Sequence, residues 1–162
     1  MVNLVTPALF AKYKTVQDFA KTTAEKLDRD ILKVNFHRNK AGFIVEASKM
    51  IVEKFKGIVP DNMEDLDSLP GVARKTANVV LGSAFGKTEG IVVDTHVIRL
   101  SRKLGLTGQK TPEKIEEDLM KIVPRGNWID FSFLLINFGR EFCPARPHVC
   151  VPCPLGDLCP DK

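Results

Sequence analysis

All four cysteines of the chain lie in one short C-terminal window, at Cys143, Cys150, Cys153 and Cys159. Thiolates suit soft metals, and four of them in one loop can surround a single centre without ligands from elsewhere. Zinc and a 4Fe–4S cluster both accept four cysteines. Zinc sites usually consist of two short-spaced pairs, and here only Cys150 and Cys153 form one. The spacing therefore modestly favours an iron–sulfur centre over zinc, and either metal over four ordinary buried thiols.

A proline-glycine turn between two helical segments is a second candidate site. Leu69-Pro70-Gly71 cannot remain helical, and Val72-Ala73-Arg74-Lys75 leads directly into a helical pattern. The start of that helix points free backbone N–H groups in one direction, which makes it a phosphate site, and the two cations lie beside it. A plain packing corner between two helices is the alternative that this segment alone leaves open.

The third candidate is an acid, Asp94, at the start of a helix in the run 92–97. An acid at the first turn of a helix most often only caps it. Nothing in the local sequence overturns that interpretation.

The elements that must position these residues are nearly all helices. Apolar residues recur at helical spacing, and glycine, proline and capping residues mark the ends. The predicted helices cover residues 16–27 with a Thr15 cap, 41–55, 63–66, 73–85, 94–104, a stretch that begins at Thr111 with a hydroxyl cap, and 127–142. Alternating strand patterns are scarce, and 91–93 is too short to build a sheet. The sequence predicts an all-α protein.

Composition and charge limit the class of protein further. The 162 residues suit one compact domain or two small lobes, with 44% hydrophobic and 27% charged residues. The net charge of +4 allows polyanions as partners without being diagnostic. The N-terminal residues do not resemble a signal peptide, and the longest apolar stretches are too short to span a bilayer. We expect a soluble intracellular protein that does not interact with a membrane.

Together, the segments LPGVARKTANVVLGSAFG and VVDTHVIRL and the cysteine pattern resemble the endonuclease III family of helix-hairpin-helix DNA glycosylases. The resemblance covers almost the whole chain. It implies two helical lobes with a cleft between them and a C-terminal iron–sulfur loop. The lobes are expected at 1–88, which contains the hairpin, and at 89–162. Two further helices are expected before the first residue, so that the first lobe is N-terminally incomplete.

The resemblance also implies roles for individual residues. Lys75 matches the nucleophile of the family and Asp94 its catalytic carboxylate, in a glycosylase that removes oxidised pyrimidines and cleaves the abasic site by β-elimination through a Schiff base. The implied DNA contacts are the backbone amides of Gly71 and Ala73 and the side chains of Arg74 and Arg146. The four cysteines would hold a 4Fe–4S cluster.

The implied partner is double-stranded DNA with a damaged base or an abasic site, bound by a monomer in the bacterial cytoplasm or, in a eukaryote, the nucleus. Two alternatives stay open. One is a non-catalytic DNA-binding module that keeps the hairpin and the cluster. The other is a mismatch or adenine glycosylase, which Lys75 disfavours. The hairpin departs from the family pattern at Ala73, where a second glycine is common and where a positive φ would strain alanine.

Overall fold

The computed structural model describes residues 1–150 and 153–160, and in these residues every regular element is helical. This confirms the predicted all-α class. None of the described helices is long and apolar enough to cross a membrane. The α-helices of the described residues are α1 Val2–Lys12, α2 Val16–Lys21, α3 Ala24–Asp30, α4 His37–Lys54, α5 Met63–Asp67, α6 Arg74–Phe85, α7 Thr95–Lys103, α8 Pro112–Ile122 and α9 Trp128–Glu141, with a short 3₁₀ helix at Arg125–Asn127.

The chain divides into two compact units, Met1–Ala77 and Asn78–Lys162. The division falls inside α6, so this helix begins in the first unit and ends in the second. From the sequence we expect the boundary between the lobes after this helix, at 88/89. The lobes 1–88 and 89–162 stay a prediction.

In the first unit, α2 and α3 pack against α4. The core consists of buried apolar side chains from α1, α3 and α4 and from the residues that connect them: Leu9, Tyr13, Leu27, Ile31, Val34, Ala41 and Val45. At its edge, Asp30 accepts hydrogen bonds from the Lys12 ammonium (2.6 Å) and from the Tyr13 hydroxyl (2.8 Å). The bond from Lys12 lowers the pKa of Asp30 below its ordinary value; the bond from Tyr13 acts in the same direction and desolvation opposes both.

The predicted helix over 16–27 is wrong in one respect, because it is two helices. Thr22 and Thr23 are extended, and the Thr23 hydroxyl accepts a bond from Lys26 N (3.3 Å) as the N-cap of α3. Apolar periodicity continues through this break, because both helices turn an apolar face to α4. The predicted Thr15 cap is confirmed as a capping box with Asp18.

In the second unit, α7 packs against α8 and α9. The core around α7 is made by side chains from the segment before it and from both partner helices: Ile91, Val93, Val97, Leu100, Ile115, Leu119, Trp128, Leu135 and Cys143. The start of α8 has the predicted Pro112 in its first turn. The predicted hydroxyl cap at Thr111 is wrong, because that side chain makes no capping bond.

Candidate active site and cysteine loop

The proline-glycine turn joins α5 and α6 into a helix-hairpin-helix. Leu66 and Leu69 are buried below the turn, and Val72 N donates to Leu69 O (3.0 Å) to close it. Gly71 has a φ of +76°, and a Cβ at this position would lie 2.6 Å from the Cβ of Phe43 on α4. Both the backbone conformation and the close approach therefore require glycine at the tip of the hairpin.

The exposed side of the hairpin carries the residues that the sequence pointed to. Gly71, Ala73, Arg74 and Lys75 are all exposed. Ala73 is not among the residues with positive φ, so alanine is accommodated here without the strain that a second positive-φ position would impose. Its carbonyl accepts Ala77 N (3.0 Å), which makes it the first carbonyl of the helix. The helix dipole adds positive potential at this first turn.

Asp94 is the N-cap of α7 in the second unit. Its Oδ1 accepts the backbone N–H of His96 (2.8 Å) and of Val97 (2.9 Å). Both capping bonds use one oxygen, and within the described residues Oδ2 makes no hydrogen bond. The carboxylate is half-buried. One oxygen thus fixes the orientation of the group, while the other can face a charge that develops nearby.

Lys75 is the second residue of α6. Its ammonium is exposed and forms no ion pair with any described residue. Because Lys75 belongs to the first unit and Asp94 to the second, their predicted action on one substrate stays a prediction.

The four cysteines lie in the loop that follows α9, and none of them forms a disulfide with a described residue. Cys143 is buried at the end of α9, where Arg99 on α7 donates from Nη2 to its carbonyl (2.6 Å) and from Nη1 toward its Sγ (3.7 Å). In the described part of the chain, no three Cys, His, Asp or Glu side chains are grouped to hold one metal ion. A cuboidal cluster differs from an ion because each thiolate binds a different iron, so four cysteine donors suit it without meeting at one point.

A cleft of about 830 Å³ separates α7 from the first part of the cysteine loop. Its lining includes Arg99, Arg102 and Lys103 from the helix and Arg146 and His148 from the loop. Nδ1–H of His148 donates to the carbonyl of Arg146 (3.0 Å), which fixes the ring against its own loop. The cleft therefore carries positive charge, and Arg146 is exposed at it.

Sequence reasoning missed Arg99. Nothing in the local pattern distinguishes it from Arg102, since both are cations on α7. Only the position of Cys143 against that helix selects it.

Known proteins resemble this chain in sequence over most of its length. The profile of the HhH-GPD superfamily, described as base excision DNA repair proteins, matches residues 1–125. Endonuclease III of Synechocystis sp. is 50% identical over 159 residues, which cover 98% of this chain and 73% of that protein. Endonuclease III of Bacillus subtilis is 45% identical over 160 residues, with 98% and 73% covered.

Solved structures agree with these relatives. A trapped endonuclease III–DNA covalent intermediate superimposes with a TM-score of 0.93 at 42% identity, covering 99% of this chain and 75% of that one. A thermostable thymine-DNA glycosylase gives 0.87 at 26% identity, again with 99% and 75% covered.

The helical fold and the exposed hairpin define a helix-hairpin-helix protein of base excision DNA repair. More narrowly, the chain belongs to the endonuclease III family of the HhH-GPD superfamily. Its function is DNA repair as a glycosylase/lyase, which disfavours the non-catalytic module and the mismatch or adenine glycosylase.

Proposed function

We propose that this chain performs both steps of that repair on duplex DNA: it excises an oxidised pyrimidine and then cleaves the abasic strand. The observation that carries the proposal is the pair of available groups, an exposed Lys75 amine at the start of α6 and the Oδ2 of Asp94 outside its capping bonds. A glycosidic bond that breaks leaves positive charge on the sugar, which a carboxylate stabilises. An amine can take the place of the departing base.

The proposed chemistry proceeds as follows. The lone pair of Lys75 Nζ attacks the anomeric carbon, the bond to the base breaks, and the base leaves with the electron pair and takes up the proton that the attacking nitrogen releases. The nitrogen lone pair then opens the sugar ring to a protonated Schiff base, and the ring oxygen takes up a proton from water. Water accepts a proton from the neighbouring carbon, the electron pair expels the 3′ phosphate in the β-elimination, and hydrolysis of the Schiff base releases the lysine.

Binding of the DNA is assigned to the hairpin and to the cysteine loop. The amides of Gly71 and Ala73, with Arg74, would hold a phosphate beside the lesion, because the start of a helix attracts anions. Arg146 at the cationic cleft would hold a second phosphate. The proposed partner is duplex DNA with a damaged base or an abasic site, and the proposed form of the protein that binds it is a monomer inside the cell.

The four cysteines fit a 4Fe–4S cluster better than zinc, because their spacing has one short pair only. Cys143, Cys150, Cys153 and Cys159 would be the ligands, and the bound cluster would supply structural cross-links to a loop that has little apolar core. Anaerobically purified protein should be yellow-brown, and Cys150→Ser should lose the colour and the iron. A colourless protein with stoichiometric zinc would exclude the cluster.

Borohydride trapping tests the chemistry, because reduction of the Schiff base joins protein and DNA covalently. We expect the wild-type chain to be trapped on abasic duplex DNA and Lys75→Ala and Lys75→Gln to give no adduct. Lys26→Ala is the matched control, since Lys26 is also an exposed lysine early in a helix. Trapping of Lys75→Gln at the wild-type level would show that another amine reacts. Wild-type protein that binds the duplex and is never trapped would contradict the lyase step.

A further inference from the structure

A carboxylate is buried in the second unit away from the residues assigned to DNA. Glu116 lies on α8 next to the fully buried Ile115 and about one turn before the fully buried Leu119. Only 6% of the residue is exposed. Burial of a polar group without a partner destabilises a fold, and a well-packed apolar residue would usually be at least as favourable here. The contacts of Glu116 therefore indicate what it contributes.

One contact joins Glu116 to α6. Asn78 Nδ2 donates to Glu116 Oε1 (3.0 Å), and Asn78 is itself 5% exposed. Asn78 Oδ1 is buried and has no hydrogen-bond partner among the described residues. The amide is therefore oriented by the carboxylate alone, since the flipped amide would set two oxygens against each other.

The second contact joins Glu116 to the segment that ends at Asp94. A Cβ built at Gly90 would overlap Glu116 Oε1 and lie 3.0 Å from Asn78 Nδ2. Gly90 does not have a positive φ, so the glycine is required by space and not by backbone conformation. The residues that follow are buried at Ile91 and Val93, which leaves this segment little freedom before the N-cap of α7.

We propose that Glu116 is a positioning residue for excision. With Asn78 it fixes the part of α6 that belongs to the second unit, and with Gly90 it sets the path of residues 90–94. Asp94 is thereby oriented by a buried carboxylate that is assigned neither to the DNA nor to the reacting atoms. This role rests on the proposed function of Asp94. A displacement of about 1 Å in a reacting group can slow a reaction about 10²-fold, so the effect is measurable.

The test replaces the polar pair by apolar side chains in the full chain. Replacing both residues leaves neither side of this hydrogen bond unsatisfied, whereas replacing one leaves the other unsatisfied, and the melting temperature reports the cost of the further interaction that Glu116 makes. The variants are therefore Asn78→Leu/Glu116→Leu, with Glu116→Gln as the conservative substitution that keeps an acceptor for Asn78. Ser101→Ala is the matched control, because Ser101 is a fully buried polar residue of the same unit whose hydroxyl bonds within α7.

Four quantities are measured for each variant: the melting temperature, the Kd for duplex DNA, the single-turnover excision rate on a thymine-glycol duplex at saturating enzyme, and hydrogen exchange of residues 86–95. We expect the double variant to excise up to about 10²-fold more slowly with an unchanged Kd, and to exchange faster in that segment. Glu116→Gln should recover most of the rate, and Ser101→Ala should keep the wild-type rate and exchange.

A double variant that excises at the wild-type rate overturns the role of Glu116. So does a rate that falls only in proportion to a weaker Kd, or a loss that Ser101→Ala shares. Wild-type protein that excises no base overturns the proposed function instead, and this outcome is recognised before any variant is compared.

Discussion

Asp94 has two roles that one set of substitutions separates. The structure shows it as a helix cap, with Oδ1 accepting two backbone N–H groups of α7 at 2.8 and 2.9 Å. The proposed chemistry requires the charge of the same carboxylate. Asparagine keeps the capping oxygen and removes the charge, whereas alanine removes both.

The expected magnitudes differ accordingly. Asparagine caps as well as aspartate does, so Asp94→Asn loses only the favourable interaction with the helix dipole, about 0.3–1 kcal/mol. Asp94→Ala also loses the cap, which costs about 1 kcal/mol more and lowers the Tm of a chain of this size by roughly 2–4 °C. Excision should fall by about 10²–10³-fold in both variants, because both lack the negative charge.

The assay is single-turnover excision on a thymine-glycol duplex, with melting curves and borohydride trapping on preformed abasic DNA in parallel. Asp94→Asn should still be trapped on abasic DNA, because the base has already gone. If Asp94→Asn excises at the wild-type rate, the residue is a cap and the assignment of the carboxylate is wrong. If both variants lose rate only in proportion to their loss of folded protein, the same conclusion holds.

Three further predictions concern the hairpin, the cleft and the edge of the first core. Gly71→Ala should destabilise the protein by about 2–4 kcal/mol in thermal unfolding, because Gly71 has a positive φ and an added Cβ would overlap the ring of Phe43. Gly42→Ala is its control and should be neutral or slightly stabilising, because there is open space around Gly42. Arg146→Ala should reduce the slope of log Kd against log salt by about one for undamaged duplex. Asp30→Asn should lower the Tm at pH 7, and its difference from wild type should disappear as the pH falls below about 4.

The sign for Asp30 follows from its lowered pKa. The ionised carboxylate is favoured in the folded protein, so its contribution to stability is present above the pKa of the unfolded chain and is lost as the pH falls through the folded value. A difference in Tm that persists in acid would show that packing of the side chain matters instead of its charge. If Gly71→Ala and Gly42→Ala unfold at the same temperature, the stated cause of the destabilisation at Gly71 is wrong. If Arg146→Ala leaves the salt slope unchanged, Arg146 does not contact a phosphate.

Much of the local structure was determined by the sequence alone. Caps, glycines and helical spacing act within a few residues, so the Thr15 cap, the turn at Gly71 and the helix after Asp94 were predicted from neighbouring residues. The break at Thr22–Thr23 was equally local and was missed, because the apolar pattern that the prediction followed continues across it. The motifs that carry the resemblance also lie in continuous segments, which is why Lys75, Asp94 and the four cysteines could be singled out.

Contacts between distant segments were decided only by the tertiary structure. Asn78, Gly90 and Glu116 belong to three separate segments, and no periodicity or motif connects them. Arg99 is one of several cations on α7, and only its hydrogen bond to the carbonyl of Cys143 distinguishes it from the others. Even Asp94 required the structure, because the sequence could not show that both capping bonds use one carboxylate oxygen and leave the other outside the cap. The physical reason is that a capping bond or a turn is formed by adjacent residues, whereas burial and hydrogen bonding between helices depend on how the whole chain packs.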